Sequence, residues 1–239
     1  MAPWNANLAF VLDVVRAIAF DLDNTLWDVE PVLARAESAL RTWLVAHAPR
    51  IVARLTTADM RRAREELAQR EPHNAHDVTY LRLTALIAHA REHDYDEALA
   101  HQAFAVFLAA RNAVAVFADV APALARLARR FRLGSLSNGN ADLKHIGLDH
   151  LFAVSLNARQ LGSAKPERHC FEELARQLGC RAHEILYVGD EPLLDVVAAR
   201  AAGLGTVWMN RSALPWPAHL APADLNVSDC TQLATRLGL

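Results

Sequence analysis

The sequence predicts an α/β protein built on a doubly wound parallel sheet, with an all-helical cap inserted near its start. Three observations carry that reading. Short apolar runs that end in small or polar residues recur at 17–20, 133–137, 185–188 and 206–209. This is the texture of buried parallel strands whose C-terminal ends open on a crevice. Helical patterns separate the later runs, and strand–helix alternation of this kind implies a doubly wound sheet. Between 27 and 112 the strand texture disappears, and apolar residues repeat at helical spacing instead.

In chain order, the run 17–20 is the first strand. The insert then reads as roughly four amphipathic helices. They are carried by Leu33, Ala36, Leu40, Trp43 and Leu44; by Met60, Ala63 and Leu67; by Tyr80, Leu83 and Ile87; and by Leu99, Ala103 and Val106. Residues 27–112 thus form a cap domain, and 1–26 with 113–239 a Rossmann-like core. After the strand at 133–137, Pro166 opens a helix that Gly179 closes, with Phe171, Leu174 and Leu178 on one face. A strand at 185–188 leads to a helix opened by Pro192 and closed by Gly203, and 206–209 is the last strand. The tail from 212 to 239, with Pro215, Trp216 and Pro217, finishes the core.

Composition excludes several function classes. With 239 residues, 53% hydrophobic and 22% charged, the chain buries a core without disulfides or a structural metal. Its net charge of −2 comes from 27 acidic and 25 basic residues interspersed along the chain. That leaves no electrostatic footprint for nucleic acid or an anionic membrane, so any phosphate must be held by local geometry. The 3 cysteines, Cys170, Cys180 and Cys230, form no CxxC, and the 11 histidines form no cluster at ligand spacing. Free thiols in a reducing cytosol are expected, and zinc is not. The apolar stretch 8–20 is interrupted by Asp13 and Arg16, has no cationic leader and is too short for a bilayer. The expectation is a soluble, cytoplasmic protein.

Four constellations carry chemistry. Asp21 and Asp23 directly follow the first strand, where side-chain alternation lets both face one crevice. Two such carboxylates repel by ~1–4 kcal/mol at 4 Å, which a cation or protonation of one partner relieves. Ser137-Asn138-Gly139-Asn140 suits a plain strand-ending turn, and it also offers a hydroxyl and backbone N–H groups to an anion. Lys165, one of only 2 lysines among the 25 basic residues, stands where a helix begins. On a surface it would simply be solvated; at a helix N-terminus its compact ammonium adds to that end's preference for anions. Lastly, Asp190 ends a strand in Gly189-Asp190-Glu191-Pro192-Leu193-Leu194-Asp195, and Asp195 follows about one and a half helical turns later. Carboxylate oxygens without thiolates or imidazoles suit Mg²⁺; Asp190 and Glu191 equally suit the positive end of a helix.

In this order, Asp21-x-Asp23-x-Thr25, Ser137, Lys165 and Gly189-Asp190-x₄-Asp195 resemble the haloacid dehalogenase-like hydrolase superfamily, in its phosphatase branch with a helical cap. The resemblance implies that Asp21 is the nucleophile, giving an aspartyl-phosphate. Asp23 would be the general acid and base, and Thr25 would orient the pair. Ser137, Asn138 and Lys165 would hold the phosphoryl group. Mg²⁺ would be bound by Asp21, Asp190 and the backbone carbonyl of Asp23, with Asp195 and Glu191 supporting from outside. Asp23 also argues against dehalogenation, since halide leaves without a proton.

For the substrate, Glu71-Pro72-x₃-His76-Asp77-Val78-Thr79-x₂-Arg82 together with the core motifs resembles the bacterial phosphatases of flavin mononucleotide and of 5-amino-6-(5-phosphoribitylamino)uracil. His76, Asp77 and Arg82 would then hydrogen-bond a polyol or heterocycle, and Trp27 would stack on a ring. The same segment also reads as a helix start, with Asp77 capping through Tyr80 and Arg82 paired on the surface. The expected partner is a small phosphorylated metabolite. The rivals are a sugar-phosphate phosphomutase of the same superfamily, a haloacid dehalogenase and a non-catalytic binding module.

Overall fold

The computed structural model describes residues 14–239. β1 (Ala17–Phe20) leads into a helical insert of α1 (Val29–His47), α2 (Pro49–Arg54), α3 (Thr57–Arg70), α4 (Val78–Glu92) and α5 (Glu97–Asn112). α6 (Val120–Leu127) returns the chain to β2 (Arg132–Ser137), followed by α7 (Leu143–Ile146), β3 (Val154–Asn157), α8 (Ala158–Leu161) and α9 (Arg168–Leu178). β4 (Ile185–Gly189) precedes a π-helical turn (Pro192–Val197) that continues as α10 (Ala198–Ala201). β5 (Gly205–Met209), β6 (Leu225–Val227) and α11 (Cys230–Arg236) close the fold.

The strands form one parallel sheet in the order β3-β2-β1-β4-β5-β6. β1 is central, and its alternating side chains feed two different layers. Ile18 and Phe20 pack with Leu124 and Leu127 of α6 and Leu233 of α11. Ala17 and Ala19 face Phe171, Leu174 and Leu178 of α9 on the other side. The two alanines leave room there for Phe171 and Tyr187, whose rings meet edge-on at 5.1 Å. Chain order reverses beside β1, and such a switch point leaves a crevice at the C-terminal ends of the strands.

The insert has a core of its own, in which Ala36, Leu40, Leu44, Ile51, Met60, Leu86, Ala100, Ala103 and Phe107 pack together. Its long helices begin on side-chain caps. Asp28, Asp77 and Asp96 accept N–H groups of the first turns of α1, α4 and α5, and Thr56 with Asp59 forms a capping box on α3.

The doubly wound sheet and helical insert agree with expectation, and three of the expected strands each gain one residue. Two further strands, β3 and β6, lie at the sheet edges. β3 reads Val-Ser-Leu-Asn and is half exposed, and β6 has only 3 residues, so neither presents an apolar run. Pro49 adds the short helix α2 to the insert. The expected face of α4 is displaced: Leu81, Ala85, Leu86 and Ala90 are buried, whereas Tyr80, Leu83 and Ile87 are only half buried. The helix carries two apolar stripes, one through Leu81, Ala85 and Leu86 and one through Leu83 and Ile87, and periodicity alone does not choose between them. On α1, Val32 takes the buried place and Leu33 stays 38% exposed. The helix expected to start at Pro166 starts at Arg168. All three cysteines are free. No helix among the described residues is long and apolar enough to cross a membrane; residues 8–13 of the apolar stretch lie outside the described residues.

Phe171 is fully buried between sheet and α9. Phe171→Ala should therefore cost about 3–5 kcal/mol of unfolding free energy, read from the midpoint of a urea melt at constant slope.

Candidate active site

Asp21 is the first residue beyond β1, and its N–H still donates to the Val188 carbonyl at 2.8 Å. This extra step of pairing carries the carboxylate to the strand ends, where it is 7% exposed. Lys165 enters from the loop before α9 and donates to Asp21 Oδ1 at 2.6 Å, to Asp195 Oδ1 at 2.6 Å and to Tyr187 Oη at 3.0 Å. An ammonium has three hydrogens, and all three are used. Tyr187 passes its own hydrogen to the Leu136 carbonyl at 3.0 Å. Asp195 is fixed at its other oxygen by the Glu191 N–H, 2.9 Å away.

Asp21, Asp190 and Asp195 have carboxylate oxygens within 4.8 Å of one another. Two of these three acids, Asp21 and Asp195, share the Lys165 ammonium. Burial pushes the Asp21 carboxyl well above the usual carboxylate range; Lys165 opposes that rise, and Asp195 and Asp190 add to it. Burial also works against the charge on Lys165, but Asp195 and Asp21 outweigh it and hold the ammonium well above the usual amine range. Asp190 is pushed up to about 7 by burial and by the charges of Asp195 and Glu191. Excess negative charge of this kind calls for a proton or a cation. Each Asp195 oxygen already accepts a hydrogen bond, so Asp190 and the Asp21 carboxylate are the better-placed donors for an ion. Hard oxygen ligands fit a divalent cation of the Mg²⁺ type.

Asp23 points elsewhere. Trp27 Nε1 donates to its Oδ1 at 2.7 Å, and Nη2 of Arg111, in the last turn of α5, lies 2.7 Å from each of its oxygens. Asp23 stands between two clefts. One, about 140 Å³, is also lined by Asp21, Ser137, Lys165, Asp190 and Asp195. The other, about 250 Å³, opens toward the insert and is lined by Leu33, Arg64, Val78, Leu81, Arg82, Phe107, Arg111, Gly139 and Asn140.

A model of the haloacid dehalogenase-like hydrolases matches residues 15–203. The chain belongs to that family. It is 31% identical to the 5-amino-6-(5-phospho-D-ribitylamino)uracil phosphatase YigB of Escherichia coli (strain K12), over 92% of this chain and 95% of that protein. It is 27% identical to the glyceraldehyde 3-phosphate phosphatase of Methanopyrus kandleri, over 83% of this chain and 85% of the other. Among solved structures, a 2-haloacid dehalogenase from Pseudomonas syringae pv. Tomato DC3000 superposes with a TM-score of 0.89 at 35% identity, covering 94% of this chain and 98% of that one.

All four family motifs converge on the smaller cleft, though several side chains stand in other roles than expected. Thr25 is buried and donates to Asp190 Oδ1 at 3.2 Å rather than holding the Asp21–Asp23 pair. The Asn138 side chain is bonded at both ends to the Lys165 backbone, at 2.8 and 2.9 Å, so it splints that loop and keeps one amide hydrogen over. Ser137 Oγ accepts the Gly139 N–H at 3.0 Å and keeps its own hydrogen for the cleft. Glu191 is exposed at the rim.

Trp27 is fully buried, so it cannot stack on a ligand ring and instead holds Asp23. Asp77 caps α4 through the Tyr80 N–H at 2.9 Å and faces Arg159 at 3.4 Å. Neither it nor His76 borders the larger cleft. Arg82 does, and it is buried rather than on the surface, paired with Glu37 at 2.8 Å.

Sequence reasoning missed Tyr187, Arg111 and the two close glycines. Tyr187 was visible as the one polar-tipped residue of an apolar run; nothing marked Arg111 among the arginines. A Cβ on Gly139 would lie 2.7 Å from Asp23 Oδ2, and one on Gly189 only 2.3 Å from Asp195 Oδ2. Gly189→Ala should therefore dislodge Asp195 from Lys165 and cost about 1–3 kcal/mol or more, measured by urea denaturation of the two proteins side by side.

Proposed function

We propose that this enzyme hydrolyses the phosphate monoester of a small metabolite through an aspartyl-phosphate on Asp21, with Mg²⁺ held by Asp21, Asp190 and the Asp23 backbone carbonyl. One observation carries the reading: Asp21 is locked by Lys165 through Oδ1, leaving Oδ2 toward the cleft that also receives Asp23, Ser137 and Asp190. In the first half-reaction Asp21 Oδ2 bonds to phosphorus, the bond from phosphorus to the ester oxygen breaks, and Asp23 gives that oxygen its proton. In the second, Asp23 takes a proton from the water that attacks phosphorus and frees Asp21. Ser137 Oγ–H and the positive charge of Lys165 stabilise the transferring oxygens. Bound Mg²⁺ would offset the charge of the phosphoryl group against the carboxylates.

The solved relative described as a dehalogenase keeps a second reading alive. Asp23 argues for phosphoryl transfer, because an alkoxide needs the proton and a halide does not. The identity to the ribitylaminouracil phosphatase across 92% of the chain supports that compound as substrate, and the motif resemblance alone adds flavin mononucleotide. Of the insert residues expected to select it, Arg82 retains a place beside the reaction cleft. We take the helical insert, 27–112, as the cap that closes over the leaving group.

Wild-type protein with Mg²⁺ should release inorganic phosphate from a generic aryl phosphate and no halide from a 2-haloacid. Asp21→Asn should lower turnover at least about 10³-fold, and Asp23→Asn about 10²- to 10⁴-fold. Full activity of Asp21→Asn would end the assignment.

A second prediction concerns pH. A carboxyl raised from 3.8 unfolded to about 7 folded favours folding while protonated. Its contribution is lost as pH climbs through that window. An ion on Asp190 removes this penalty and competes with the proton. The rise in melting temperature on adding Mg²⁺ should be larger at pH 8 than at pH 6, and an equal rise at both would exclude Asp190 as a ligand.

A further inference from the structure

Asp190 is held by hydrogen bonds that lead away from the cleft, toward β5 and the loop behind it. Trp208 of β5 donates its Nε1–H to the Asp190 carbonyl at 2.8 Å, and the Thr25 hydroxyl donates to Asp190 Oδ1 at 3.2 Å. Thr25 is fully buried. Its own carbonyl accepts the Nε–H of Arg211, the second residue after β5, at 2.9 Å. The other edge of that guanidinium is fixed as well: Nη1 and Nη2 lie 3.1 and 2.9 Å from the two oxygens of Asp119, just before α6. Asp119 also accepts the N–H of Cys230, where α11 begins, at 2.7 Å. The guanidinium lies over the Phe117 ring, 4.1 Å from its centre, and the Phe117 N–H donates to the next carbonyl of the same turn, that of Leu26, at 3.0 Å. A guanidinium gripped on two oxygens and laid against a ring keeps one orientation, so its Nε–H is aimed at Thr25 in advance.

We propose that Arg211 is a positioning residue: through the Thr25 carbonyl it sets the Thr25 hydroxyl against Asp190, and so tunes the affinity of the site for a divalent cation. Arg211 borders neither cleft, so its influence has to pass through Thr25. Without it a buried carbonyl loses its donor, and the turn can carry the hydroxyl off Asp190. Groups that hold a metal ligand from behind are worth about 10- to 100-fold in metal affinity. The inference rests on the proposed Mg²⁺ site at Asp190 and not on hydrolysis.

The test is calorimetric titration of Mg²⁺, without substrate, into wild type, Arg211→Met, Thr25→Val and the double variant. Arg211→Met should weaken the Kd by about 10-fold. The double variant should bind within about twofold of Thr25→Val alone, because two residues acting along one route do not add. Arg211→Lys keeps a charge for Asp119 but no Nε–H for Thr25, and it should lose affinity too even if Arg211→Met does not fold. Arg200→Met is the control for a general loss of stability. Arg200 is tied as densely, to Thr206 Oγ1 and to the Ala221 and Pro222 carbonyls at 3.0, 3.2 and 2.6 Å, away from Asp190. It should melt at lower urea and bind Mg²⁺ like wild type. Unchanged affinity in the Arg211 variants, an equal loss in Arg200→Met, or losses that multiply in the double variant would each overturn the proposal. Absent hydrolysis with this Mg²⁺ pattern intact would sink the reaction and leave the role of Arg211 standing. A wild type that binds no Mg²⁺ would sink the ion site and the role of Arg211 together.

Discussion

The ammonium of Lys165 ties together residues 144, 30 and 22 positions away along the chain. Removing such a group from water costs several kcal/mol, which is offset only while every partner is in place. Asp21, Asp195 and Tyr187 together meet that condition, and Tyr187 anchors the cluster to the end of β2 through the Leu136 carbonyl. The arrangement is cooperative in a literal sense. Without the ammonium, the Asp21 and Asp195 carboxylates would hold uncompensated charge in a buried place. The orientation of Asp21 is thus a property of the packed core rather than of its own loop.

The topology of the sheet puts the partners within reach. Asp21 follows β1, Ser137 ends β2 and Asp190 follows β4, and these are three neighbouring strands. Because all run parallel, all three functional ends emerge on the same side. Glycine completes the fit at two points, since a Cβ at Gly139 or Gly189 would occupy space taken by Asp23 or Asp195. The family's sequence motifs are, in this light, the ends of neighbouring strands and the one loop that carries a lysine between them.

Core and insert divide the two key acids. Asp21 is held by core residues alone, whereas Asp23 is gripped by Arg111 from the final turn of α5. Asn140 donating to Thr79 at 3.1 Å and the Asp142 N–H donating to Asn112 at 2.9 Å join the same two bodies close by. The Asp23 carboxylate is therefore sensitive to where the helical insert sits, and that of Asp21 is not.

Much was legible in the sequence because it depends on neighbours along the chain. Apolar runs marked the four central strands, since a strand buried on both faces must be apolar throughout. Asp21, Ser137, Lys165 and Asp190 were legible as polar residues that stop such runs or precede a helix. The edge strands β3 and β6 were not, because half-exposed strands mix polar with apolar residues. Nor did periodicity choose the buried stripe of α4. The tertiary structure alone decided that Arg111 meets Asp23, that Thr25 serves Asp190, that Trp27 is buried and that Asn138 braces Lys165. Each of these pairings except that of Trp27 spans 27 residues or more. Contacts at such distances follow from how layers pack, and local sequence carries no signal for them.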